Sequence, residues 1–158
     1  VYKRQEQSLD IMLWALRQND PHGWLPKDSQ LMNVQLSLVK QCDDEFKFHL
    51  DRYKYPDRYQ LADGLLHRQA GAEFLHLLNQ RLEKNAFLSA TQWGFADAAI
   101  APFVRQFAHT DPNWFASQSW TQLIEWLTQF EASKDYQQAM YKYKVWHPDS
   151  KPVAYPAN

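Results

Sequence analysis

The 158-residue sequence is poor in several things, and each shortage excludes something. It has one cysteine, Cys42, so no internal disulfide can form, which fits a reducing cytoplasm. Glycine occurs 4 times and no long alternation of apolar and polar residues is found, which argues against a sheet-rich fold. The longest nearly apolar stretch, GFADAAIAPFV, contains an Asp and a Pro and is too short to cross a bilayer. No stripe of Lys and Arg stands out against a formal net charge of -1, so neither a nucleic-acid surface nor a basic membrane patch is expected. The opening residues VYKRQEQ are polar and do not read as a secretory leader.

What is present is apolar and aromatic. Hydrophobic residues make up 45 %, with Trp 7 and Phe 9, enough for one sizeable core and not for two full domains. Helical periodicity dominates. Ser8 reads as the cap of a helix running to about Asn19, broken by NDPHGWLP. Asp28 caps a long helix whose stripe is Met32, Leu36, Val39, Cys42, Phe46, Leu50 and Tyr53. A third helix carries Leu61, Leu65, Ala72, Leu75, Leu78 and Leu82, and a fourth starts near Gly94. Asp111-Pro112 opens a short turn, Ser119 and Gln122 suggest a capping box, and Ser133 starts a last helix through Tyr143. The fold class is therefore all-α, a helical bundle.

QWGFADAAIAPFVRQF is the most distinctive stretch. Asp97 lies three residues after Gly94, where a carboxylate can accept backbone N–H groups at a helix start. Pro102 sits inside the same apolar helix, where it removes a hydrogen bond at a cost of about 3 kcal/mol. Elsewhere, Glu45 and His49 lie one helical turn apart without an evident third ligand, so no metal is expected. His22, His67, His76, His109 and His147 are scattered and form no catalytic pattern. Cys42, followed by Asp43, Asp44 and Glu45, reads as an unreactive core residue, because nearby negative charge raises a thiol's pKa.

The AD pair entering a buried helix, with APF a few residues on, resembles the sixth-helix region of the glutathione transferase C-terminal domain. FLSATQWGFAD is similar to the family's entry into that helix, with Gly94 and Asp97 as the structural cap and Gly94 where the family usually has Ser or Thr. The front of the chain supplies a second match. In that family an acidic residue or Gln, then Ser, opens a helix and holds the γ-glutamyl end of glutathione; here the pair is Gln7-Ser8. Within the family, SLDIMLWAL and the stretches RYKY and FVRQFAH look closest to a bacterial, cysteine-type branch.

The resemblance implies a glutathione transferase C-terminal helical bundle at 26–145, preceded at 6–25 by the last helix of a thioredoxin-like domain and a linker. Residues 146–158 form an irregular tail. VYKRQ is also what GTG TAT AAG AGA CAG encodes, the end of a transposon sequencing adapter, so residues 1–5 read as non-native. The implied activity joins the glutathione thiol to a hydrophobic electrophile, or exchanges it with a disulfide. The implied electrophile site draws on Phe46, Tyr53, Tyr55, Phe103, Arg105 and Phe107. The resemblance further implies glutathione as a substrate, no metal, a homodimer when the protein is intact, and a catalytic residue expected on a preceding segment. The fragment alone is expected to be inactive. The alternative is a non-catalytic helical interaction module of the same fold.

Overall fold

The computed structural model describes residues 8–153. Among them are eight α-helices and no strand beyond a single Phe87–Ala90 bridge. α1 (Ser8–Gln18) is followed by a linker tied by Asp20, whose carboxylate accepts the N–H groups of Trp24 at 2.8 Å and Leu25 at 2.9 Å. α2 (Ser29–Gln41) starts where the Asp28 carboxylate accepts the Leu31 N–H at 2.7 Å.

The long helix expected after Asp28 is not uninterrupted. It passes through a π turn at Cys42–Phe46 before continuing as α3 (Lys47–Lys54). There the Lys47 N–H reaches back to the Cys42 carbonyl, so one extra residue is accommodated in the turn. Cys42 and Phe46 point into the core while Asp43, Asp44 and Glu45 stay exposed, with Lys40–Asp44 and Lys47–Asp43 ion pairs bracketing the turn. The periodic apolar stripe conceals the insertion, because the buried residues stay on one side of it.

α3 ends before Pro56, a 3₁₀ turn follows at Pro56–Tyr59, and α4 (Leu65–Leu82) packs back along α3. Leu65 is exposed; the buried stripe runs through Gly71, Phe74, Leu75, Leu78 and Leu82. α5 (Phe95–Ala108) is the central helix, with Ile100, Ala101 and Val104 fully buried. α6 (Pro112–Ala116) opens on the Asp111 carboxylate, which accepts the Trp114 N–H at 3.0 Å.

α7 (Thr121–Ala132) corrects the expected Ser119–Gln122 box. Its first residue follows Trp120, and the Leu123 N–H is satisfied by the buried Asn79 side chain of α4 at 3.1 Å. Ser133 caps α8 (Lys134–Ala139), which stops short of Tyr143. α1 has no fully buried residue. Leu9, Met12, Leu13 and Leu16 lean on the bundle, while Trp14 is 63 % exposed.

Candidate functional site

The site begins at the start of α5. Asp97 is fully buried, and a buried carboxylate is tolerated only when its lone pairs are filled. One oxygen accepts the Leu88 N–H and the Trp126 indole N–H, both at 2.8 Å. The other accepts the N–H of Ser89 at 3.0 Å and of Gly94 at 3.2 Å. One side chain thus joins α7, the 83–94 loop and the first turn of α5.

Gly94 has no side chain with which to cap the helix. The Ser89 hydroxyl does so instead, accepting the Ala96 N–H at 3.1 Å. A Cβ on Gly94 would lie 2.9 Å from both Cβ and Oγ of Ser89. The cap's hydroxyl is supplied from another part of the chain, and its space is taken. The α1–α2 linker is fastened to the same corner. The Trp24 carbonyl accepts the Phe95 N–H at 3.1 Å, and the Gln92 amide donates to the His22 and Gly23 carbonyls, each at 3.1 Å.

These ties leave a groove of about 1000 Å³ over the outer face of α5. Its floor is Ala98 and Pro102, small residues that keep it open. One wall is aromatic: Trp93 stacks on Phe130 with ring centroids 5.5 Å apart and planes at 5°, and Phe130 meets Tyr136 at 4.7 Å. Trp24 of the linker closes the same side. Two cations line the groove. Lys54 Nζ donates to the Gln106 amide oxygen at 3.2 Å, and Arg105 Nε donates to Glu131 at 3.1 Å. His109 meets the same Glu131 oxygen at 2.8 Å. Arg105 is thereby held in place, with one of its nitrogens committed to Glu131.

Of the six electrophile-site residues expected from the sequence, Arg105 alone lines this groove. Phe46 and Phe107, each 1 % exposed, are core residues, with their rings 5.4 Å apart and Phe74 and Tyr53 packed around them. A ligand cannot reach them without unpacking the bundle. The Tyr53 hydroxyl is also buried, and burial raises its pKa; the neighbouring Arg68 opposes that shift without reaching hydrogen-bond geometry. Phe103 is half-buried under Lys47 Nζ, 4.4 Å from its ring centroid, and Tyr55 lies between Lys54 and Arg58. Ser8 is exposed on the first described turn of α1, whereas Gln7 and the residues before it lie outside the described residues. The Cys42 thiol is buried and its pKa is pushed up to about 12, first by burial and then by Asp43, so it holds no usable thiolate.

Sequence reasoning passed over Trp24, Trp93, Phe130, Tyr136 and Lys54. The linker and connector aromatics follow no period, and their meeting depends on how the loops fold back. It also found no partner for the Glu45–His49 pair. α4 supplies His67, whose Nδ1 lies 2.9 Å from the Nδ1 of His49, with Phe48 edge-on to both rings. Burial, and then His67, lowers the His49 pKa.

No model of a protein family matches the sequence, and no curated protein matches it. The fold is similar to the crystal structure of a glutathione transferase from Burkholderia graminis that holds two glutathione molecules per subunit. The TM-score is 0.71 at 17 % identity, over 82 % of this chain and 57 % of that one. The chain thus has the glutathione transferase fold in its all-helical, C-terminal-like part, and spans little more than half of that protein's length. Among the described residues no helix is long and apolar enough to cross a membrane.

Proposed function

We propose that this chain is the helical part of a glutathione-dependent transferase, which joins the glutathione thiol to a hydrophobic electrophile or exchanges it with a disulfide. The groove carries the reading. It is a cavity of about 1000 Å³ with an aromatic wall and two cationic side chains, in a bundle of glutathione transferase fold. An apolar cleft with a few placed polar groups suits a hydrophobic ligand bearing one polar handle. Arg105, held by Glu131, is the residue assigned to that handle. Gln7 and Ser8 are assigned to the γ-glutamyl end of glutathione, because an exposed helix start offers unpaired N–H groups and a positive dipole end.

Thiol activation belongs to a thioredoxin-like domain ahead of Ser8, since Cys42 is buried with a pKa of about 12. The chain alone is therefore expected to be inactive. A cytoplasmic homodimer completes the reading. Phe48 is 46 %, Leu65 50 % and Leu66 79 % exposed, and these large apolar side chains on α3 and α4 suit contact with a second copy.

The test uses the protein in which this chain follows a thioredoxin-like domain. Retention on immobilised glutathione and conjugation of 1-chloro-2,4-dinitrobenzene are expected, with Ser8→Ala reducing retention and the 158-residue chain alone showing neither. A longer protein that folds yet neither binds glutathione nor turns over an electrophile or disulfide would overturn the proposal and leave the non-catalytic interaction module.

A further inference from the structure

The groove over α5 is polarised along its length. Rings line it in a row, from Trp93 to Phe130 at 5.5 Å and from Phe130 to Tyr136 at 4.7 Å. The row ends at Arg105, whose guanidinium carbon lies 5.5 Å from the Tyr136 ring centroid. The next residue on α5, Gln106, holds the Lys54 ammonium at 3.2 Å, so both cations stand toward the C-terminal end of the helix. Ala98, on the floor, is about two turns before Arg105, or about 10 Å along the axis.

The two cations differ in what they have left to offer. Arg105 gives its Nε to Glu131 at 3.1 Å, so much of its charge is offset while its other nitrogens can still donate. Lys54 is half-buried and is held by neutral groups, the Gln106 amide oxygen and the Tyr55 ring at 4.9 Å. Among the described residues it is in no ion pair. Asp135 brings a carboxylate to the groove's lining, but in the first turn of α8, where the helix dipole favours it, and it pairs with neither cation. An ammonium beside an apolar wall with no counter-ion attracts an anion more strongly than it would in open water.

We propose that the groove takes an elongated aromatic carboxylate, its rings along the Trp93–Phe130–Tyr136 row and its carboxylate on Lys54. Lys54 supplies the charge, and Arg105 keeps donors free at the same end. A neutral ligand of the same shape gains the ring contacts and forgoes the ion pair. A ligand amine meets repulsion there. That the ligand is an electrophile rests on the transferase reading above; on that reading the preferred substrate is an arylcarboxylate rather than a neutral arene.

Isothermal titration of the 158-residue chain with biphenyl-4-carboxylate and the neutral biphenyl-4-carboxamide tests the ligand class without glutathione. The carboxylate is expected to bind about tenfold tighter or more at low salt, and the gap to narrow as salt rises. Lys54→Met is expected to remove most of that gap and Lys54→Arg to keep it. Lys40→Met serves as the control, because Lys40 pairs with Asp44 outside the groove. Each comparison is a ratio within one protein, so a general loosening of the groove does not imitate the result. Equal affinity for the two probes, no binding of either, or a gap that survives Lys54→Met overturns the proposal.

The longer protein extends the test to 4-chloro-3-nitrobenzoate and its carboxamide, with a lower KM expected for the acid. In that reaction the aryl C–S bond forms as C–Cl breaks, and chloride and the thiol proton are released. Binding of the biphenyl acid through Lys54 without turnover of any electrophile or disulfide sinks the transferase reading and leaves the ligand class standing. Turnover of the carboxamide with a KM equal to or below that of the acid does the reverse.

Discussion

The two faces of α5 are built on opposite terms. The inner face presents Phe95, Ile100, Val104 and Phe107 to neighbours that leave no room, and Asp97 at its start is filled by four N–H donors. The outer face presents Ala98, Pro102 and Arg105 to an open groove, where aromatic side chains come from loops and later helices. Packing defines the first face and the space left by packing defines the second. Substitutions on the inner face should therefore cost fold stability. Those on the outer face should leave the fold intact and alter what it holds.

Asp97→Ala tests the inner face most severely. It leaves four N–H groups without their acceptor, three of them backbone groups in the loop and helix start and one the Trp126 indole. An unsatisfied buried donor costs roughly 1–3 kcal/mol, and water admitted to the cavity recovers part of that, so a loss of about 4 kcal/mol is expected. That is a large share of a domain's usual stability of about 5–15 kcal/mol. Urea unfolding followed by tryptophan fluorescence measures it, and a loss below about 1 kcal/mol would mean that Asp97 does not organise this corner.

Gly71→Ala follows in size, and its sign is a contest. Alanine is the better helix former by about 1 kcal/mol. Its Cβ, however, would lie 2.7 Å from the Phe107 ring. That ring is held by Phe46 at 5.4 Å, Tyr53 at 4.8 Å and Trp114 at 6.2 Å, so it cannot swing away freely. Overpacking costs about 1–3 kcal/mol, which leaves a net loss of about 1 kcal/mol. A stabilised Gly71→Ala protein would show that the inner face has slack.

These two residues also show what sequence could and could not reveal. Asp97 was legible because a carboxylate three residues into a helix has a local mechanism. Its bond to Trp126, 29 residues away, was not legible. The all-helical architecture followed from apolar spacing, and so did the buried positions Leu75, Leu78 and Leu82. The π turn at Cys42–Phe46 escaped, because its buried residues keep a spacing that an α-helix also allows. The groove escaped for a different reason. The resemblance implies Phe46 and Phe107 as site residues, yet both rings are packed in the core, where an aromatic on a helical stripe usually lies. Trp93 and Trp24, in irregular segments, form the wall, and no periodicity points to them.

The cap at Gly94 sharpens the comparison further, because its substitution can be repaired. Gly94→Ser puts a side chain where Ser89 already sits, 2.9 Å away, and a loss of about 1–2 kcal/mol is expected. Adding Ser89→Gly removes the Ser89 contacts, leaving only the Trp24 carbonyl 3.2 Å from the new Cβ, and the new serine can take over the Ala96 N–H. The double variant should recover to within about 1 kcal/mol of wild type, a favourable coupling read from the four-way cycle of urea midpoints. If Gly94→Ser alone is neutral or stabilising, the hydroxyl of Ser89 is not the cap.

The smallest stability effect belongs to the outer face. Arg105→Met removes a partly exposed ion pair with Glu131 and leaves His109 on the same carboxylate oxygen. Exposed pairs contribute about 0–1 kcal/mol, and methionine keeps the apolar stem over the groove, so the urea midpoint should barely move. The consequence should appear in binding. In the glutathione-dependent protein proposed above, the KM for an electrophile carrying an acidic or nitro group should rise, while the KM for glutathione stays constant. A variant that loses about 2 kcal/mol or more of stability would place Arg105 with the inner face. One that changes neither stability nor electrophile KM would remove it from the groove's chemistry and leave the aromatic wall to bind alone.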